Sequence, residues 1–194
     1  ACTGVGLDRF VRQAIYMPLG IRDLRFNPRN APPEPRVYAA TERCAWRGKV
    51  LCGEVHDDNA YVLNGVAGHA GLFGTARAIF ALMRRLLSAY RGEDAQTIFL
   101  PELVRTFWTP SGDSDWTLGF DTPSAQASSS GSHFSRNSAG HLGYTGTSFW
   151  TDIERRITIV LLTNRVHPSR SNEKIRVFRP RIHDAIMEGL LKDG

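Results

Sequence analysis

Lysine is nearly missing from this chain. Of its 24 basic residues only Lys49, Lys174 and Lys192 are lysines, and the rest are arginines. Against 19 acidic residues this leaves a net charge of +5 and a pI of about 9.4. The arginines are scattered along the chain instead of forming a basic stripe, and arginine excess can reflect gene base composition as readily as phosphate binding. The charge is therefore weak ground for a nucleic-acid partner. Cysteine is scarce and odd in number: Cys2, Cys44 and Cys52 fit no closed disulfide framework. Cys44 and Cys52 have no C-x-x-C or H-x-x-x-H partner, which excludes an ordinary zinc site, and they read as free thiols. Long apolar runs are absent as well. Ala78–Met83 and Ile159–Leu162 fall far short of the roughly 18 residues of a membrane span. The chain has no initiating methionine, basic n-region or apolar h-region. It opens on Ala1-Cys2-Thr3-Gly4, nearly straight into a helix, and so reads as a cut chain whose compartment is unassigned.

What is present is a core. Among 194 residues, 42% are hydrophobic and 10% aromatic, which excludes a disordered polyelectrolyte. Leu7, Phe10, Val11, Ala14 and Ile15 share a helical face, ended by Pro18 and Gly20. Asn27–Pro35 contains four prolines and reads as a loop. Thr41–Gly74 shows no period, being broken repeatedly by glycine. A second helix follows, with Thr75 as its cap, Ile79, Leu82, Met83, Leu86, Leu87 and Tyr90 as its buried stripe, and Gly92 as its stop. Pro101 opens a third, carrying Leu103, Val104 and Phe107.

After Thr109 the character changes. Trp116–Phe120 reads as a short strand and Ser124–Ser132 as a flexible surface loop. Gly140–Thr145, Thr147–Asp152 and Ile157–Thr163 read as three strands with tight links at Gly146 and Glu154-Arg155. The last is nearly continuously apolar, as expected of a strand covered on both faces. A closing helix buries Ile182, Ala185, Ile186 and Leu190. The expected fold class is α+β: helices beside a small antiparallel sheet, with a C-terminal helix. Residues 1–109 form the helical region, and 110–194 the sheet and terminal helix.

The stretch Gly140-His141-Leu142-Gly143-Tyr144-Thr145-Gly146-Thr147-Ser148-Phe149-Trp150 gathers glycines, small hydroxyls and a titratable ring on one strand. Glycine in a strand marks close approach of a ligand or of backbone. Backbone N–H groups there suit an oxyanion and the hydroxyls a carboxylate. The plainer alternative makes His141 a partly buried strand residue. Elsewhere, His56-Asp57-Asp58 with His69 matches no metal-ligand spacing, and Asp57 and Asp58 read as caps or turn braces. His167 and His183 read as structural. Arg165–Arg181 reads as a solvated face, and Met17, Met83 and Met187 as core filler. No metal or cofactor is expected.

Five collinear pieces carry a resemblance. They are Phe10-Val11 through Pro18-Leu19-Gly20-Ile21; His56-Asp57 through Asn59-Ala60; Gly65-Val66-Ala67-Gly68-His69-Ala70-Gly71-Leu72-Phe73; Trp116-Thr117-Leu118-Gly119-Phe120-Asp121-Thr122-Pro123-Ser124, followed by Phe134-Ser135; and His141–Trp150, continued by Leu161-Leu162-Thr163-Asn164-Arg165-Val166-His167-Pro168. Together they resemble the C-terminal half of the class C β-lactamase-like serine hydrolases, which include penicillin-binding-protein and esterase types. The resemblance implies a β-lactamase/transpeptidase-like fold with an acylatable serine between helices and sheet. Of that family's motifs, the third (Lys/His-Thr/Ser-Gly) would be His141-Leu142-Gly143, with Leu142 departing from the usual hydroxyl. By the same match His141 is catalytic, the Tyr144 N–H is an oxyanion donor, and Gly143 and Thr145 line the substrate side. The Ser-x-x-Lys and Tyr-x-Asn motifs would lie before Leu7. Ser171-Asn172-Glu173-Lys174 and Ser135-Arg136-Asn137 mimic such motifs out of order.

Consequences follow. Histidine, with a pKa of about 6.5, is mostly neutral at neutral pH where lysine, at about 10.4, stays charged. The whole enzyme is therefore expected to favour ester, amide or peptide-like substrates over β-lactams that depend on carboxylate recognition. The chain alone, lacking nucleophile and base, is expected to be inactive. Its natural partner would be the missing N-terminal half of the same protein, and the open edge of Ile157–Thr163 invites self-association. Two alternatives stay open: a non-catalytic binding module reusing the fold, and an anionic-surface or nucleic-acid binder resting on pI alone.

Overall fold

A computed structural model describes residues 3–27, 38–94, 98–110 and 114–192. Cys2 and residues 28–35 of the proline-rich stretch lie outside the described residues. The chain forms two compact units, Ala1–Leu82 with Asn164–Ser171, and Met83–Thr163 with Asn172–Gly194.

In the first unit, α1 (Leu7–Val11) continues into a π turn over Arg12–Tyr16. There the Met17 N–H reaches back to the Arg12 carbonyl at 2.9 Å, five residues away. The widened turn rotates the apolar stripe. Phe10 and Met17 are exposed, and Tyr16 packs with Ile21, Leu24 and Ala78, flanked by Val11, Ile15 and Leu19. The expected face holds only in part, and Met17 is not core.

Four short strands fill the region where the sequence shows no period. β1 (Leu24–Phe26) pairs antiparallel with β4 (Leu72–Gly74). β2 (Ala40–Cys44) pairs with β3 (Lys49–Cys52) across a bulge between Ala40 and Arg43. Strands of three to five residues are too short to display alternation. Between them, α2 (Asp58–Val62) is capped by Asp57, whose carboxylate accepts the Ala60 N–H at 2.7 Å. The segment Asn164–Ser171 lies along β2. The Arg43 N–H donates to the Pro168 carbonyl at 2.9 Å, and His167 Nδ1 donates to the Thr41 carbonyl at 2.8 Å.

Helix α3 (Ala76–Tyr90) follows its sequence signals closely. Thr75 Oγ1 accepts the Ala78 N–H at 3.2 Å. At the other end Gly92, with φ +73°, sends its N–H to the Ala89 carbonyl while Glu93 reaches the Ser88 carbonyl, the paired bonds of a Schellman stop.

The second unit contains α4 (Pro101–Trp108), the antiparallel sheet β5 (Ser138–Leu142), β6 (Ser148–Asp152) and β7 (Ile157–Leu161), and α5 (Ile175–Lys192). Register is regular, with Gly140 opposite Trp150 and Trp150 opposite Ile159. Trp150 is fully buried among Phe134, Ile159 and Met187. Helix α4 buries Val104 and Trp108, while Leu103 and Phe107 are exposed. The Tyr90 ring stacks on Trp108 and fixes that choice of face. Helix α5 buries Ile175, Arg179, His183 and Met187, each four residues apart, and leaves Leu190 and Ala185 exposed. The expected stripe there is off by about one position, because two of its true members are polar.

Trp116–Phe120 is not a strand. Trp116 and Asp121 form a single bridge, and Asp121 forms another with Gly140 at the outer edge of β5. Strand β7 is half-buried along most of its length instead of covered on both faces, and among the described residues it pairs only with β6. No described helix is long and apolar enough to cross a membrane.

Candidate active site

Strand β5 ends at Leu142 because the chain turns. The Gly143 N–H donates to the Thr147 carbonyl at 2.8 Å, and the Gly146 N–H donates to the Gly143 carbonyl at 3.0 Å. These bonds close a loop over residues 143–147, so Tyr144 and Thr145 stand in a turn and not in the strand. Gly146 takes φ +108°, a conformation that favours glycine. The Thr163 hydroxyl donates to the Gly146 carbonyl. From α5, the buried Arg179 gives Nη2 to the Thr147 carbonyl at 3.0 Å and to the Gly143 carbonyl at 3.4 Å.

The two strand glycines have internal reasons. A Cβ on Gly140 would sit 2.4 Å from the Trp150 ring, and one on Gly143 would sit 2.0 Å from Thr147 Oγ1. The close approach at these glycines is that of neighbouring side chains and, at Gly140, of the Phe149 carbonyl as well.

His141 is exposed, whereas Leu142 packs against the Trp150 cluster. The hydroxyl missing at Leu142 is thus exchanged for a core contact. His141 Nδ1 lies 2.8 Å from the Leu142 carbonyl. A carbonyl only accepts, so Nδ1 carries a proton and Nε2 is the ring nitrogen left to face outward. Trp116 stands 6.4 Å away, centroid to centroid. Its backbone bridges to Asp121, which exchanges two bonds with Gly140, at 2.8 and 2.9 Å. Burial pushes the Asp121 carboxyl up, opposed by the Thr122 amide and by the charge His141 can carry.

His141, Gly143, Tyr144 and Thr145 are therefore gathered on one strand end and its turn. Tyr144 is exposed and Thr145 half-buried. Arg179 was hidden in the sequence by its place in Arg165–Arg181, a stretch that reads as a solvated face. Its place in the four-residue series Ile175, Arg179, His183, Met187 is the signal that places it inside.

Other candidates have structural duties. His183 is fully buried; its Nδ1 donates to the Ser129 carbonyl at 3.1 Å and its Nε2 faces the Ser148 hydroxyl at 3.3 Å. Burial holds its pKa down. Ser135 serves the buried Asp152, donating both its N–H and its hydroxyl, and Arg155 adds an N–H and a guanidinium bond. Burial opposes ionisation of Asp152, but these bonds hold its pKa below the usual range. Ser171 is exposed and bonded to the Ser169 hydroxyl at 3.0 Å.

In the first unit, His56 pairs with Glu42 at 3.1 Å and His69 with Asp57 at 3.1 Å. Arg47 donates to Asp58 at 2.7 Å. Arg170 binds both carboxylate oxygens of Glu42 and lowers its pKa to about 2. Asp57 and Asp58 thus cap and brace, and among the described residues no group of three could hold a metal.

Comparison with known proteins adds the following. The family model described as Beta-lactamase matches residues 1–180. A putative D-alanyl-D-alanine carboxypeptidase of Escherichia coli K12 is 36% identical over 180 residues, covering 85% of this chain and 41% of that protein. An N-acetylmuramyl-L-alanine amidase of Bacillus subtilis is 34% identical, again covering 85% and 41%. The chain thus spans about two fifths of the length of these relatives. Among solved structures, a beta-lactamase from Mycobacterium bovis superposes with a TM-score of 0.61 at 17% identity, covering 96% of this chain and 57% of that one. A mutant simvastatin synthase from Aspergillus terreus gives 0.66 at 17%, covering 98% and 51%. The helices and small antiparallel sheets have the β-lactamase-like fold, of class α+β.

Proposed function

The chain belongs to the beta-lactamase family, and on that premise we propose that it supplies the sheet side of an acyl-serine hydrolase site. In this reading it is the C-terminal portion, residues 1–194, of a single β-lactamase-like domain. Serine and lysine, and the proton-shuttling tyrosine, come from a region preceding Leu7. The serine attacks an ester or amide carbonyl, the leaving group departs with a proton, and water releases the acyl group. His141, its Nδ1 engaged by the Leu142 carbonyl, presents Nε2 towards the reacting groups. The Tyr144 N–H stabilises the oxyanion, and Gly143 and Thr145 border the substrate. The carrying observation is the loop itself, which holds the carbonyls of Gly143 and Thr147 on Arg179 beside an exposed, Nδ1-protonated His141. The names of the two relatives, a carboxypeptidase and an amidase, favour peptide-like amide substrates.

The test is intact-protein mass after incubation with a fluorophosphonate. The 21.6 kDa chain should gain nothing, and the chain expressed with its upstream region should gain one adduct. An adduct on the isolated chain, or none on the longer protein, would overturn the proposal.

A further inference from the structure

Arg179 is an arginine inside a core, and its bonds explain what it does there. One nitrogen serves two carbonyls, those of Gly143 and Thr147, which are the first and last residues of the loop that carries Tyr144. The same two carbonyls accept the loop's own closing bonds, from the Gly146 and Gly143 amides. The guanidinium therefore sits where the loop's negative dipole ends converge. The Gly143–Tyr144 peptide is trans, as the only cis bond among the described residues is His167–Pro168. In a planar trans peptide the C=O and the following N–H point in opposite directions. A Gly143 carbonyl aimed at Arg179 sends the Tyr144 N–H the other way, off the α5 side of the loop.

Charge adds to direction. A cation bonded to the oxygen of an amide draws electron density along the peptide and makes its N–H a stronger donor, an effect enhanced where surroundings are of low dielectric. We propose that Arg179 is a positioning residue that both aims and polarises the Tyr144 amide from behind, through the Gly143 carbonyl. The catalytic meaning of this rests on reading that amide as an oxyanion donor. It assigns the α5 arginine to the electrostatics of the site, although it touches neither substrate nor reacting atoms. A neutral side chain of similar shape would keep the helix packed and lose the polarisation, whereas lysine would keep the charge.

The experiment uses the 15N-labelled chain and three variants, Arg179→Lys, Arg179→Gln and Arg179→Met. In Arg179→Met the Gly143 and Gly146 amides should exchange about tenfold faster or more, while amides of the β5–β6 and β6–β7 ladders stay within about twofold. The Tyr144 amide proton should move upfield in both the Met and Gln variants and return towards its parent position in Arg179→Lys. An unchanged Tyr144 shift and unchanged loop exchange in Arg179→Met would overturn the inference. If that variant loosens the ladders as well, Arg179→Gln decides: an upfield Tyr144 shift with intact ladders supports the inference, and an unchanged one refutes it. The fluorophosphonate acylation rate of the longer protein separates the two levels. A loop that responds as stated, with acylation within twofold of parent, refutes the oxyanion role and leaves the loop's dependence on Arg179 standing.

Discussion

Gly143 offers the sharpest check on how the candidate site is built. Its φ is not left-handed, so alanine suffers no backbone penalty there; the obstacle is the Thr147 hydroxyl, 2.0 Å from the added Cβ. Thr147 Cβ would be at 3.3 Å, so rotating the hydroxyl away leaves a tight but survivable contact. A β-branched side chain has few alternative rotamers, and overpacking of this kind costs about 1–3 kcal/mol. For a chain of this size that lowers Tm by about 2–4 °C per kcal/mol. Thr147→Ala alone should cost little, since the loop is closed by backbone bonds of Gly143 and Gly146 and by Arg179, none of which uses the Thr147 hydroxyl. The double variant should recover most of the loss, giving a coupling of about 1 kcal/mol or more. Urea titrations followed by tryptophan fluorescence measure all four corners of the cycle. Gly143→Ala as stable as the parent, or a double variant no better than Gly143→Ala, would refute the steric account and return this glycine to the role of ligand approach.

Further outcomes follow from the charged groups and the open edge. Glu42 has its folded pKa lowered to about 2 by Arg170, below an unfolded value of about 4.3. Its stabilisation is therefore complete above about pH 4.3 and fades as pH falls towards 2; after solvent screening it amounts to about 1–2 kcal/mol, and Arg170→Met should flatten that part of the acid-denaturation profile. Asp152→Asn loses the charge that Ser135 and Arg155 surround and should cost about 2–4 kcal/mol in a urea titration; a loss under 0.5 kcal/mol, as at an ordinary surface site, would contradict the hub. With β7 paired only to β6 among the described residues, light scattering should show a mass that rises with concentration, and a constant monomer mass would contradict an adhesive edge.

Legibility in the sequence followed the physics of each element. Helix α3 was readable because cap, stripe and stop all agree, from Thr75 to Gly92. The β5–β7 sheet was readable because its strands are apolar and separated by Gly146 and Glu154-Arg155. The link reads as Gly146 alone, with residues 143–145 as strand, because the bonds that close the turn over 143–147 are backbone bonds that no side chain announces. Four other features were not readable. The π turn after Val11 rotates a stripe whose residues look helical throughout. β1 to β4 are shorter than any detectable period. In α4, Trp108 and not Phe107 is buried because Tyr90, distant in sequence, stacks upon it. In α5, Arg179 and His183 sit on the buried face, where polarity hides burial. His141, Gly143, Tyr144 and Thr145 can be grouped from the sequence because they lie within one five-residue stretch, whereas Arg179 cannot, because it reaches the loop from 32 residues beyond Thr147.

The most direct measurement of the central claim is the pre-steady-state acylation rate of the longer protein with His141→Ala, using an activated ester. A positioned acid–base group contributes about 10²–10⁴ in rate, so the variant should fall by at least about 10² while its folding, read from the β5–β7 ladder amides, is unchanged. Acylation within twofold of the parent would remove His141, and the strand end that carries it, from the reacting groups.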